Sequence, residues 1–327
     1  VAQGTGTLLE RAPEIGSYLL KAPAQTTLAT VQPQHLVGSA DERTGIEGME
    51  IAEDVTMICC PDLMSPLAIK ELGRDGIKAV QLAMINHCER MADRVAIIDP
   101  IPDLTPLQVK HWRERDTNYD SKFAALYYPW IKVMGPEGQA IAIPPSGHMA
   151  GIYARNDVER GVHKAPANEI IRGALEVVTP ITKGEQDVLN PIGVNCLRSF
   201  TGRGLRVWGA RTLSSDPAWR YVSVRRLFNY VEKSIERGTQ WVVFEPNDHD
   251  LWARVRRDVG AFLTGCWRDG MLFGLTPEEA FYVKCDEELN PPDVRDRGQL
   301  IIEVGMAPVK PAEFVIFRFS QYSGGGA

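Results

Sequence analysis

The sequence predicts an α/β fold in which mixed sheets are flanked by helices. Short apolar runs of strand length alternate with segments whose apolar residues recur every three or four positions, from about residue 55 onwards. The composition, 44% hydrophobic and 24% charged, is that of a globular protein. The 327 residues suffice for one large domain or two of moderate size. Residues 1–50, rich in Gly, Thr, Pro and Gln, predict an irregular or short-stranded region.

The first half of the chain begins its regular elements at VTMICC (55–60), a β-branched apolar run of strand length. Ser65 and Pro66 are the N-cap and first-turn residues that favour a helix start. In the run 123–133, Pro129 indicates an edge strand or a bulge, because proline cannot donate to a ladder. The predicted elements are strands at 55–60, 94–99 and 123–133 and helices from 66 to about 91 and at 104–117.

The second half repeats this alternation. Asp216 and Pro217 again form a cap followed by a proline, and apolar residues then recur at helical spacing until Gly238. LRVW (205–208) has the composition of a strand. The remaining predicted elements are a helix at 248–268 and strands at 241–245, 280–285, 299–304 and 313–319.

The stretch PPSGHMAGIYARNDVERGVHKAPAN (144–168) contains histidines, a serine and several charged residues, as a catalytic loop would. His148 and His163, however, have no partner at metal-ligand spacing. Its prolines and glycines predict a rigid turn, then a short helix over HMAGIYARND (148–157), then a second helix that begins near Ala167. We therefore interpret the stretch as a folded connector whose shape matters.

Composition excludes several classes of function. The net charge of −6 argues against general nucleic-acid binding, which favours a basic excess. The longest apolar run is far shorter than the roughly 18–20 residues of a membrane span, and no export leader is recognised, so direct membrane insertion is not expected. The six cysteines form no CxxC pair, which predicts buried free thiols in a reducing compartment.

A search for catalytic motifs finds none with supporting context. Asp99 follows a predicted strand, where it is either a functional carboxylate or, as we favour, part of an Asp-Pro turn. GRGLRVWG (202–209) precedes a strand instead of following one, unlike a nucleotide-binding loop. DHD (248–250) is either a metal ligand set or, as we favour, a helix cap. Ser146 is not in a nucleophile elbow. We expect no catalytic residue, no cofactor and no metal.

Seven segments together resemble one family. The chain resembles the tail sheath proteins of contractile bacteriophages, R-type pyocins and related contractile injection systems. The similarity covers roughly residues 55–320 and lacks the usual opening of the N-terminal arm; with the start at Val1, we expect an upstream segment to be missing. The segments are AALYYPWIKV (124–133), PPSGHMAGIYARND (144–157), RGVHKAPAN (160–168), LNPIGVNCLRSFTGRGLRVWGARTL (189–213), WRYVSVRRLFNYVEKSI (219–235), WVVFEPND (241–248) and PAEFVIFRF (311–319).

The resemblance implies a domain organisation and a mechanical function. Residues 1–50 would belong to a variable outer region, 51–213 to the sheath α/β core, and 214–327 to a C-terminal sheath domain. Sheath subunits form stacked hexameric rings around an inner tube, and contraction drives the tube through a target envelope. No enzymatic activity is implied.

Partners and location follow from the same resemblance. The chain would bind itself as a helical homopolymer, the inner tube protein, and baseplate and tail terminator proteins, with no nucleic acid. It would lie in the bacterial cytoplasm during assembly and in the phage tail or injection particle when mature.

The alternative functions are those of an α/β nucleotide-binding or hydrolytic enzyme and of a static tube or capsid protein.

Two sites of contact are predicted. The C-terminal strand is apolar on both faces, and the resemblance implies that it completes a sheet in a neighbouring subunit. The helix 248–268 buries one stripe and presents Arg254, Arg257 and Arg268 outward, which we interpret as a tube-facing surface or, alternatively, a solvated arginine face. The residues of the exchanged strand are Phe314, Val315, Ile316, Phe317, Arg318 and Phe319.

Overall fold

The structure is a computed structural model that describes residues 30–315, and these residues form three sheets with helices packed against them. The strands are β1 Met57–Cys59, β2 Val95–Ile98, β3 Ala124–Tyr128, β4 Ile131–Met134, β5 Ala140–Ile143, β6 Ala174–Val177, β7 Val194–Phe200, β8 Gly204–Trp208, β9 Phe281–Lys284 and β10 Glu303–Met306. The helices are α1 Pro33–Val37, α2 Pro66–Met91, α3 Pro106–His111, α4 Ser146–Arg160, α5 Lys183–Leu189, α6 Val222–Gly238, α7 His249–Arg268, α8 Pro277–Ala280 and α9 Pro292–Asp296.

The largest sheet, called the central sheet below, has the strand order β1-β2-β3-β7-β8. Its first four strands are parallel and β8 is antiparallel to β7. Every residue of β2 and β3 is buried because α2 covers one face and α4 the other. Val80 and Met84 of α2 pack on the first face, and Met149 and Tyr153 of α4 on the second.

The predicted single strand at 123–133 is two strands in two sheets. β3 ends at Tyr128 in the middle of the central sheet, and β4 begins at Ile131 and pairs with β5 and β6 in a three-stranded antiparallel sheet. The prediction of an edge strand or bulge at Pro129 was therefore wrong. Proline has no N–H for a ladder, and here it lies where the chain leaves one sheet for the next.

Two further predictions were wrong. Residues 241–245 are a 3₁₀ turn at Gln240–Val242 followed by a loop, because Glu245 N bonds to Val242 O within the turn instead of to a strand. No helix begins near Ala167. That segment lies extended along β8, where Asn168 N donates to Val207 O at 2.7 Å and Ile171 N donates to Leu205 O at 3.0 Å.

Two boundary predictions also needed correction. The strand expected at 299–304 lies at β10, Glu303–Met306. The helix expected at 104–117 is α3 followed by a π-helical segment, Trp112–Thr117.

The strand expected at 313–319 extends beyond the described residues. Its described part, 313–315, has no regular structure.

The C-terminal part of the described chain has its own core. Leu251, Val255, Val259 and Leu263 of α7 form its central stripe and pack with residues of α6, β9 and β10. β9 and β10 form an antiparallel sheet of two strands, called the C-terminal sheet below. α7 begins at the cap that DHD predicted: the Asp248 carboxylate accepts a hydrogen bond from Leu251 N at 2.9 Å.

Helix α6 connects this C-terminal core to the central sheet. Three of its cations contact acidic residues of the first half of the chain, which lie within α4, just after α2 and just before β1. Arg226 donates to Asp157 at 2.8 Å, Lys233 lies 3.4 Å from Asp93, and Arg237 lies 2.7 Å from Asp54.

Candidate functional site

The C-terminal segment is fixed to the body of the protein at Glu313. Arg211 binds the Glu313 carboxylate in bidentate fashion, with Nε 2.9 Å from Oε1 and Nη2 2.6 Å from Oε2. Asn190 Nδ2 donates to Oε1 at 2.7 Å, and Tyr221 Oη donates to Oε2 at 3.1 Å. Burial opposes ionisation of Glu313, but the hydrogen bonds from Arg211 and Asn190 outweigh it and hold its pKa below the usual value.

The partners of Glu313 are themselves held by the central sheet. Asn195, a buried residue of β7, donates to Arg211 O and accepts from Arg211 N, both at 2.7 Å. Arg211 Nη1 also donates to Asn190 O at 3.3 Å. This group of Glu313, Arg211, Asn190 and Tyr221, called the anchor below, therefore fixes the C-terminal segment to a rigid element.

The chain becomes exposed and apolar directly after the anchor. Phe314 and Val315 are 69% and 71% exposed. The rest of the predicted exchange strand, Ile316, Phe317, Arg318 and Phe319, lies outside the described residues. The described part thus presents two largely exposed apolar side chains directly after a fixed point. Residues 314–319 are called the arm below.

The C-terminal sheet offers edges of the kind that an arm could pair with. Among residues 30–315, β9 and β10 pair only with each other, so each has an outer edge with no partner strand. An apolar groove of about 440 Å³ runs between α6 and the 300–306 segment. Its apolar lining residues are Phe228, Val231, Ile235, Leu300, Ile302, Val304 and Met306.

The three arginines predicted to face a tube lie on one side of α7. At 100° per residue, positions 254, 257 and 268 fall within about 60° of each other. Arg254 binds Glu245 at 3.1 Å and lies over the Trp241 ring, while Arg257 binds its neighbour Asp258 at 3.1 Å. Arg268 is exposed in the last turn. The face is basic and solvated, with two of its charges partly neutralised locally.

Asp99 caps a helix instead of forming the turn that was favoured. Its carboxylate, 3% exposed, accepts a hydrogen bond from Ser146 N at 2.9 Å, at the start of α4. The interpretation favoured from the sequence, in which Asp99 bonds to its own backbone, was wrong about the hydrogen-bond partner. Burial raises the pKa of Asp99 to about 7. His148 and His163 have pKa values lowered chiefly by burial. Within residues 30–315, no group of three or more His, Cys, Asp or Glu side chains is placed to hold a metal ion.

The anchor was not predicted from the sequence. Glu313 directly precedes an apolar run, and its three partners lie in the segments 189–213 and 219–235. A lone acidic residue gives no sign of which distant arginine it binds. The only sequence signal for the three partners of Glu313 is that they lie in segments that resemble the family. The exposed Phe244 was also missed, because the incorrect strand at 241–245 assigned it to a sheet.

The family models decide the identity of the fold. The phage tail sheath protein central domain matches residues 41–213, and the phage tail sheath C-terminal domain matches residues 214–321. The chain belongs to the phage tail sheath family. This confirms the resemblance on which the sequence interpretation depended, together with the α/β fold of sheath proteins.

Individual relatives agree with this assignment. The putative prophage major tail sheath protein of Pseudomonas aeruginosa UCBPP-PA14 is 27% identical over 86% of this chain and 70% of its own length. The tail sheath protein of Escherichia phage P2 is 25% identical over 87% of this chain and 69% of its own. The tail sheath protein of Vibrio phage KVP40 is 28% identical, but the match covers 54% of this chain and only 26% of that longer protein.

Solved sheath structures share the fold. The helical sheath of the anti-feeding prophage in its contracted state has a TM-score of 0.72 and 34% identity, covering 87% of this chain and 76% of that one. The contracted sheath of the extracellular contractile injection system PVC has a TM-score of 0.67 and 38% identity, covering 73% and 68%. Within residues 30–315, no helix of this sheath-family chain has the length and apolar character of a membrane span.

Proposed function

We propose that this chain is a structural subunit of a contractile tail sheath, which polymerises as stacked hexameric rings around an inner tube. Contraction would drive the tube through a target envelope. The observation that carries the proposal is the match to both sheath domains over residues 41–321, together with the likeness to a helical sheath in its contracted state. We further propose that the subunit assembles in the bacterial cytoplasm and becomes part of a phage tail or injection particle.

The proposed partners are further copies of the chain, an inner tube protein, a baseplate and a tail terminator. A likeness to a chain of the anti-feeding prophage baseplate structure, 36% identical over 75% of this chain, supports the baseplate contact. Contraction as a rigid-body rearrangement would release energy that the extended state stores in its subunit interfaces, so the proposal requires no catalytic residue, cofactor or nucleic acid. The proposed organisation is an outer region at 1–50, a core at 51–213 and a C-terminal domain at 214–327.

The arm is proposed to add a strand to a neighbouring subunit. The anchor supports this, because it fixes the start of the arm while leaving Phe314 and Val315 exposed. The unpaired edges of the C-terminal sheet, next to an apolar groove, supply an acceptor of matching chemistry. Burying each large apolar side chain of the arm would contribute about 1.5–3 kcal/mol to the contact.

The arginine face of α7 is proposed to contact the tube in the extended state. The exposure of Arg254, Arg257 and Arg268 on one side supports this role. Exposed ion pairs are worth only about 0–1 kcal/mol each, which suits a contact that must be released on contraction.

Negative-stain electron microscopy of the purified full chain tests the sheath proposal. We expect hollow striated cylinders, with a narrower, longer form when the tube protein is present. Discrete globular particles with a small-molecule activity would instead support the α/β enzyme. Cylinders with one diameter and pitch under all conditions would support a static tube.

A further inference from the structure

Phe244 combines full exposure with a strained backbone. Its relative exposure is 103%, so burial within the described chain gives no reason for an aromatic side chain here. Its φ of +68° lies in the left-handed region, which is unfavourable for a bulky residue. Strained residues of this kind cluster at binding sites and switch regions, where the surrounding structure holds them in place. The combination indicates a contact that Phe244 makes outside the described chain.

The loop on both sides of Phe244 is held in place. Before it, the 3₁₀ turn ends at Val242, whose carbonyl oxygen accepts a hydrogen bond from Glu245 N at 3.1 Å. After it, the Asn247 side chain accepts a hydrogen bond from Nε1 of the buried Trp252 at 2.8 Å. A side chain presented from a fixed loop loses little conformational entropy on binding, so Phe244 is pre-organised for a partner.

Phe244 lies next to the arginine face of α7. Glu245 binds Arg254 at 3.1 Å, and the Arg254 guanidinium lies 5.1 Å from the centroid of the Trp241 ring. Arg254 therefore contacts residues on both sides of Phe244 in the sequence. Val243, which is 64% exposed, adds apolar surface to the same loop. Exposed aromatic side chains beside an arginine have the composition of a protein interface.

We propose that Phe244 inserts into an apolar recess of the inner tube protein, beside acidic groups that pair with the arginine face. The inference rests on the proposed function, which places that face against the tube in the extended state. The exposed arginines supply weak ion pairs, whereas a phenylalanine in a recess supplies apolar burial and fixes the position of the subunit on the tube. A second copy of the chain is disfavoured as the partner, because the apolar groove that it could offer to a phenylalanine is already assigned to the arm.

Replacing Phe244 by asparagine separates a tube contact from a structural role. Asparagine tolerates the left-handed backbone, so the isolated Phe244→Asn subunit should melt at or above the wild-type temperature. The fraction of purified tubes that carry an extended sheath, counted in electron micrographs, should fall at least tenfold. Leu107→Asn, at a 77% exposed residue of α3, is the matched control and should cover tubes as the wild type does.

The outcomes distinguish this inference from the sheath proposal. If the wild type forms no cylinders, the sheath proposal fails, and this inference fails with it. If the wild type covers tubes and Phe244→Asn covers them equally well, only the contact of Phe244 is overturned. Loss of tube-free cylinders in Phe244→Asn would place Phe244 against a second copy and overturn the assignment to the tube. A large drop in its melting temperature would assign Phe244 to the internal stability of the subunit instead.

Photo-cross-linking at position 244 identifies the partner. p-Benzoylphenylalanine replaces Phe244 in the full chain and keeps an aromatic side chain at this position. We expect a cross-link to the tube protein in extended particles and its loss after contraction. The same probe at Leu107 is the control and should give no cross-link to the tube protein. Cross-links from position 244 to another copy of the sheath chain alone would overturn the proposal.

Discussion

The central sheet and the C-terminal sheet solve the problem of strand edges in different ways. In the central sheet, β2 and β3 are buried at every residue, and the 168–171 segment covers β8 through bonds to its backbone. In the C-terminal sheet, two strands pair only with each other among the described residues, and Tyr282 of β9 is 54% exposed. The first sheet is largely completed within one chain, whereas the second leaves edges and apolar surface for a partner.

This difference predicts that substitutions separate into two classes. Changes in the central sheet should lower the stability of the subunit, and assembly should fail as a consequence. Changes in the arm, the anchor or α7 should affect assembly while the isolated subunit remains folded. The predictions below test this separation, beginning with the largest expected effect on the free energy of unfolding.

Leu126→Ala should cause the largest loss in the free energy of unfolding, because it disrupts the central sheet. Leu126 is fully buried in β3, so its truncation leaves a cavity that costs about 2–5 kcal/mol. Chemical denaturation of the subunit measures this loss. Leu275→Ala is the matched control, because Leu275 is 89% exposed and its truncation should change the free energy of unfolding by less than about 0.5 kcal/mol. Equal losses in the two variants would contradict the comparison.

Asp99 should make the subunit less stable as the pH rises. Its pKa in the folded state is about 7, above the ordinary value of an aspartate, so the native state holds the proton more tightly than the unfolded chain. The free energy of unfolding should therefore fall from pH 4 to pH 7 by up to about 4 kcal/mol and then level off. Asp99→Asn, which keeps an acceptor for Ser146 N, should flatten this profile. An unchanged slope in the variant would exclude Asp99 as its origin.

Glu313→Gln should release the arm at a modest cost to the subunit. The substitution removes the charge that Arg211 binds, so we expect the free energy of unfolding to fall by about 1–3 kcal/mol. The fraction of subunits that assemble into cylinders should fall more strongly. The pKa of Glu313 is lowered, so its contribution is present above the unfolded pKa and is lost as the pH falls through the folded value. Wild-type assembly should therefore weaken in acid below about pH 4, and the variant should lack that step. Sedimentation against pH measures both.

Reversing two charges on α7 should have the smallest effect on stability. Arg254→Glu with Arg257→Glu changes exposed ion pairs, so the free energy of unfolding should change by no more than about 1 kcal/mol. If this face contacts the tube, the double variant should polymerise in the contracted form without tube. Electron microscopy of tails that remain extended and tube-filled would contradict this role.

The central sheet and the C-terminal part of the chain also differ in how well the sequence predicts them. Buried parallel strands such as β2 are continuous apolar runs, so the central sheet was largely predictable. The run 241–245 has the same composition but forms a 3₁₀ turn and an exposed loop, because composition alone does not reveal whether a partner strand is available. The anchor joins Glu313 to Arg211, 102 residues apart, and no local pattern encodes such a pair.

Deletion of the arm tests the central claim most directly. A chain that ends at Glu313 should keep the wild-type melting temperature and form no cylinders in electron micrographs, because the segment that pairs with a neighbour is gone. A chain that ends at Phe319, lacking only SQYSGGGA, is the matched control and should assemble normally. Normal cylinders from the chain that ends at Glu313 would contradict the claim that the arm joins the subunits.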